Sequence, residues 1–138
     1  MKLKSVILPA CAAVIALSGA AFAKGASDSD RLTLQCSANG ARDFSMSARY
    51  ETRRGRSKFD ASFEAAPRVG FNAGQQLDVL VGGVRVGSMR LVLAIGGDLE
   101  GDLEFDTRAD ENNPFPANFP AVAAGTSVTV GGLGCALN

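Results

Sequence analysis

The chain has 138 residues, with 14 basic and 14 acidic side chains, three cysteines, and neither histidine nor tryptophan. Without histidine, Ser-His-Asp and Cys-His catalysis and all histidine metal sites are excluded. A balanced charge argues against general nucleic-acid affinity, which needs a basic footprint.

Residues 1–23 read as a targeting segment. Lys2 and Lys4 form a positive start, 5–17 is an apolar run, and Ala21 and Ala23 are small residues at −3 and −1 of a cleavage site. The pattern predicts a cleaved secretory signal of bacterial type, and a periplasmic or secreted protein. The run is shorter than the roughly 20 residues a membrane span needs, so no span is expected in the mature chain. Cys11 has too short an apolar stretch before it for a lipoprotein box, and is expected to leave with the signal. Without Lys2 and Lys4, the 14 acidic residues are two in excess, which again speaks against a nucleic-acid partner.

Residues 24–30 (KGASDSD) are small and polar and predict a flexible N-terminal tail. Residues 31–138 have the size of one domain. Such a chain buries roughly 65% of its unfolded surface, enough for a core.

The stretch 31–37 (RLTLQCS) alternates and predicts a first strand, with Ala38-Asn39-Gly40 as its turn. Residues 44–65 predict a long hairpin. Phe44, Met46, Ala48 and Tyr50 share one face of its first arm, and Phe59, Ala61, Phe63 and Ala65 one face of its second. The tip is 52–56, and 66–74 (APRVGFNAG) is a connecting loop. Residues 75–106 predict a three-stranded antiparallel meander, punctuated by Gly82-Gly83 and Gly96-Gly97, because glycine reaches the positive φ of tight hairpin turns. The middle run, 84–95, is long for a strand and is expected to bend near Gly87. In the third run Leu99, Leu103 and Phe105 alternate with Asp98, Glu100, Asp102, Glu104 and Asp106, apolar on one face and acidic on the other.

Pro114, Pro116 and Pro120 bar 107–125 from a central strand, while Phe115, Phe119 and Val122 predict a loop that packs down. Residues 126–130 (TSVTV) predict a strand. At Gly131-Gly132 the apolar parity shifts to Leu133, Cys135 and Leu137, which a bulge or turn explains. Period two puts Cys36 and Cys135 on apolar faces, and in an exported chain an even pair predicts a disulfide. It would close nearly the whole domain, worth on the order of 4–5 kcal/mol on the chain-entropy model. Two sulfurs without histidine leave a metal site incomplete. Seven or eight short strands and no helix predict an all-β fold, an antiparallel Greek-key β-sandwich with its first and last strands disulfide-linked; a small β-barrel is the alternative.

Two charged features remain as candidate surfaces. Asp98, Glu100, Asp102 and Glu104 form an acidic strand face. Same-face neighbours on a strand sit about 6.5–7 Å apart, within the range of inverting glycosidases. The single tyrosine and missing tryptophan leave no aromatic platform, so a carboxylate-based hydrolase is a minor alternative. Calcium is another, since Asp106, Asp110, Glu111 and Asn113, with Asn112, offer oxygen ligands at a strand-to-loop junction. The plain alternative is a solvated face that keeps a sheet soluble. Arg53, Arg54, Arg56 and Lys58 make a basic hairpin tip. Tip and acidic face are complementary, and so predict head-to-tail self-association or a charged envelope partner.

The runs RSKFDASFEAAP, GQQLDVLVGGVRVGSM, GGDLEGDLEFDT and FPANFPAVAAGTSVTVGG resemble small secreted bacterial all-β modules of no assigned activity. In those, a K-F-x-A hairpin precedes a V-G-G-V-x-V-G turn, and a G-T-x-V-x-V strand comes near the end. The resemblance spans 44–132 and carries no catalytic residue. It implies a non-enzymatic envelope or extracellular role. The expectation is an exported interaction or structural module without catalysis or cofactor. A periplasmic calcium- or small-ligand-binding protein is the alternative.

Overall fold

The structure is a computed structural model that describes residues 30–108, 110 and 112–138. The signal segment, the tail up to residue 29, and Glu111 of the calcium set lie outside the described residues. Among the described residues nine strands run in chain order: β1 (Arg31–Asn39), β2 (Phe44–Arg53), β3 (Arg56–Ala65), β4 (Gln76–Val81), β5 (Val84–Arg90), β6 (Val92–Leu93), β7 (Leu99–Asp106), β8 (Ser127–Val130) and β9 (Leu133–Ala136). They form a larger sheet, β1-β2-β3-β7-β6, and a smaller one, β5-β4-β8-β9, antiparallel throughout. The chain changes sheet between β3 and β4, β5 and β6, and β7 and β8. β3 and β4 thereby gain the non-consecutive neighbours β7 and β8, the return connections of a Greek key.

The sandwich expectation holds, and the barrel alternative does not. Gln35 and Asn138 exchange main-chain hydrogen bonds at 3.0 and 3.1 Å, and Cys36 and Cys135 are joined with their Cα atoms 5.8 Å apart. That bridge and that disulfide tie β1 to β9, but the sheets do not close into a barrel.

The expected meander is corrected. β4 and β5 do form a hairpin, but the third run pairs with β3, Ala61 facing Leu103. The reason lies in the middle run, which is two elements. At Val86 one extra residue interrupts the ladder, since Val79 faces Gly87 while Leu80 faces Arg85. The bend expected at Gly87 is this bulge. The chain then leaves the smaller sheet at the fully buried Leu91, and Val92–Leu93 joins the larger sheet beside β7. Gly96-Gly97 turns this short hairpin. The first turn also differs, for β1 continues through Asn39 and Asp43 takes a φ of 52°.

Alternation fixes which side chains enter the core. Met46, Phe59, Ala61, Phe63 and Leu99 face in from the larger sheet; Leu77, Val79, Val81, Met89, Val128 and Val130 face in from the smaller. Where β5 crosses β7, each strand offers a glycine to the other's bulk. A methyl group on Gly87 would lie 3.1 Å from Leu103 and 3.3 Å from Phe105, and one on Gly101 would lie 3.0 Å from Leu91 and Met89. The two notches let the sheets interlock to core density.

Phenylalanines close both ends of the core. Phe71, from the loop 66–75, packs on Phe44 and Phe63 with ring centroids 5.2 and 4.9 Å away. Phe115 and Phe119, from the loop after β7, pack edge-on at 4.7 Å, and Phe119 reaches Phe59 at 5.3 Å. The proline-rich segment therefore packs down as expected. Among the described residues no helix is long and apolar enough to cross a membrane. The disulfide is compatible with an exported protein.

Candidate functional site: the outer face of the larger sheet

Inward alternation on β1, β2, β3 and β7 dictates what faces out. Register arranges the outward side chains in five rows across the strands. From the hairpin tip they read Arg31-Arg53-Arg56, Thr33-Glu51-Lys58-Asp106, Gln35-Arg49-Asp60-Glu104, Ser37-Ser47-Ser62-Asp102 and Asn39-Ser45-Glu64-Glu100. Every position is polar. The serine row is low between longer neighbours, and here the face sinks into a trough of about 770 Å³ that includes Gln35, Arg49, Asp60 and Glu104. Ser47 and Ser62 hydrogen-bond across it, Oγ to Oγ at 2.7 Å.

The structure thus brings most of the expected charged residues onto one face. Arg53, Arg56, Lys58, Glu100, Asp102 and Glu104 all lie on it, with Arg54 in the tip turn and Asp98 just before β7. The sequence reading left out Gln35, Arg49, Asp60, Glu64 and the three serines. Their alternation was visible, but they join the acidic strand only through the β3–β7 register.

The basic and acidic residues largely satisfy one another within the molecule. Arg31 and Arg49 hold Glu51 at 3.3 and 3.1 Å. Lys58 lies 3.5 Å from Asp60 and 3.3 Å from Glu104. Its hydrogen bond with Glu104 is the main cause of a raised lysine pKa. Burial pushes the Asp60 carboxyl up; the Lys58 charge opposes this and Glu104 adds to it.

Asp106 departs from the exposed acidic face expected of it. It is only 1% exposed, because the loop returns over it and its own N–H donates to the Asn113 carbonyl at 2.9 Å. Arg56 grips its carboxylate through Nε at 3.1 Å and through Nη2, and the Arg108 N–H donates to it at 3.0 Å. The Arg56 hydrogen bonds hold the carboxyl below its usual range. The carboxylate of the calcium set is therefore engaged by a cation of the protein itself. Asp110 is exposed. Asn113 donates through Nδ2 to the Glu104 carbonyl at 3.2 Å, and its buried Oδ1 has no hydrogen-bond partner among the described residues. Among the described residues, no group of three or more Cys, Asp or Glu side chains is placed to hold a metal ion.

These shifts predict a pH profile. A depressed carboxyl gives stability that is present above the unfolded value near 3.8 and lost as pH falls through the lower folded value. A raised carboxyl does the reverse, so stability grows as pH falls through the folded value of Asp60 towards 3.8. Melting temperature against pH is expected to rise slightly on mild acidification and then fall below about pH 4. Asp60→Asn should flatten the rise, and Asp106→Asn should weaken the acid fall and lower stability at neutral pH.

Apolar exposure concentrates at β6, where Val92 is 55%, Leu93 67% and Ile95 fully exposed. Two residues of strand are too short an edge to template long pairing. No known protein family model, curated protein or solved structure matches the chain, so its function is read from its own residues.

Proposed function

We propose that the chain is a non-catalytic interaction or structural module of the bacterial envelope or extracellular space, working through the outer face of the larger sheet. The observation that carries this reading is the face itself: five all-polar rows around a broad trough. Polar rows of this kind give an interface orientation and selectivity rather than raw affinity. Export is supported by the signal-like first 23 residues and by a disulfide that an oxidising compartment maintains.

The reading is tested by replacing the trough floor. In envelope or culture fractions of the expressing cell, the native protein should migrate in a larger assembly, and Ser47→Arg with Ser62→Arg should release it without lowering its melting temperature. Free migration of the native protein in every fraction would contradict the reading. One observation favours carboxylate-based hydrolysis as a second reading, namely Asp60 paired across strands with Glu104 and shifted upward. Glycan turnover by the wild type that Asp60→Asn abolishes would establish that reading instead.

A further inference from the structure

The outer face of the larger sheet is polarised along its strands. Most of its charges are used internally, with Glu51, Asp106, Asp60 and Glu104 all held by basic partners. At the hairpin tip Arg53 and Arg54 are exposed and make no ion pair among the described residues. Arg54 and Gly55, at φ 50° and 77°, form the two-residue turn that projects them. At the other end Glu64, Glu100 and Asp102 are likewise exposed and unpaired among the described residues. Glu64 and Glu100 face each other directly across β3 and β7, an arrangement that like charges disfavour. This acidic end is also a hollow of about 350 Å³, whose lining includes Ser45, Ser47, Ser62 and Glu100. One end of the face is a basic projection, and the other is an acidic recess.

A face with opposite ends of this kind is complementary to itself when turned round. We propose that a second copy of this chain covers it. The two copies meet face to face about a two-fold axis that crosses the strands at the Gln35-Arg49-Asp60-Glu104 row. That operation lays the first row of each copy over the fifth row of the other. Arg53 and Arg54 of one copy then reach the Glu64, Glu100 and Asp102 recess of its partner, twice over, and the contact closes as a dimer rather than growing into a filament. Four strands by nine residues give about 600 Å² per copy from the strand spacing and rise. That lies below the roughly 800 Å² per partner of a standard interface. The dimer is therefore weak, and held by charge. The inference rests on the outer face being the working surface, and names its partner.

Sedimentation velocity of the purified, oxidised mature chain tests it. The dimer should form with rising concentration at about 20 mM salt and lose about tenfold or more of its association constant at about 500 mM, where the screening length shrinks below about 5 Å. Arg53→Glu with Arg54→Glu should be monomeric at low salt. Glu64→Lys with Glu100→Lys should be monomeric too. Mixed in equal amounts, the two variants should form a heterodimer, because the unpaired side chains at both ends of one face are now acidic and those of the other, Asp102 apart, basic. A wild type that is monomeric at both salts, or that grows beyond a dimer, overturns the proposal, as does a mixture that stays monomeric. Unchanged melting temperatures of the variants at high salt show that they fold. A monomeric wild type that still enters the envelope assembly would sink this inference and leave the interaction module standing.

Discussion

Replacing Cys36 and Cys135 together by alanine should cost on the order of 4–5 kcal/mol. The two residues are 99 apart in sequence, and loop-closure entropy for a loop of about 100 residues comes to about 4.7 kcal/mol. Small domains have only about 5–15 kcal/mol in total, so the melting temperature should drop by on the order of 20 °C. The location of the bond sharpens this expectation. Besides it, the β1–β9 edge is joined by the reciprocal main-chain bonds of Gln35 and Asn138. Once reduced, that edge should open first, and hydrogen exchange at Gln35 and Asn138, whose amides cross it, should rise before exchange in β3 does. Chemical denaturation of the double variant measures the loss. A loss under about 1 kcal/mol would mean that the edge is held by packing and main-chain pairing, and that the disulfide is incidental.

Phe59→Ala should cost about 3–5 kcal/mol, the range for removing a fully buried phenylalanine. Phe59 has no exposed surface. Its ring stacks on Phe105 with centroids 6.3 Å apart and meets Phe119 edge-on at 5.3 Å. The loss should therefore be felt outside β3 as well. The loop after β7 is anchored by Phe115 and Phe119 and by the main-chain bond from Asp106 to Asn113. Without Phe59 that anchor loosens, and amide exchange at Asp106 and Phe119 should accelerate beyond the global loss of stability. Denaturant melts combined with exchange by mass spectrometry separate the two effects. An equal change at all sites would show that the loop is held by its prolines rather than by the aromatic cluster.

Much of this fold was legible from local pattern. The hairpin 44–65 announces itself by alternation, but the tip expected at 52–56 is only the two-residue turn Arg54-Gly55, and that shorter turn sets the register, Ala48 facing Ala61. Cys36 and Cys135 were legible because period two and the compartment pointed the same way. Partner choice between distant strands was not. Alternation states which face of β7 is buried, but Ala61 and Leu103 meet across two intervening strands in the other sheet. No periodic signal distinguishes that pairing from a third arm beside β5. Nor does a run such as Val84 to Ile95 reveal that it changes sheets at Leu91, since apolar residues recur through both halves.

The candidate face was half legible for the same reason. Its acidic strand and basic tip stand out as charge runs, and both do lie on it. That Arg56, Lys58, Glu104 and Asp106 are paired within the molecule follows only from the β3–β7 register, which sets Lys58 beside Glu104 and Arg56 near Asp106. Asp106 keeps the parity of an exposed residue and is buried all the same, because a loop whose path no pattern specifies folds back over it. The serine row carries no signal in sequence at all. Ser37, Ser47 and Ser62 are ordinary outward residues until three strands align them.

The central claim is that the outer face of the larger sheet is covered when the protein is at work. Carboxyl footprinting compares the native protein in its own envelope or culture fraction with the purified chain at high salt. Labelling of Glu64, Glu100 and Asp102 should fall in the native fraction, while Asp78, exposed on the smaller sheet, should label equally in both. Equal labelling of the three carboxylates in both preparations, or protection of Asp78 in their place, would contradict the claim and move the working surface to another face.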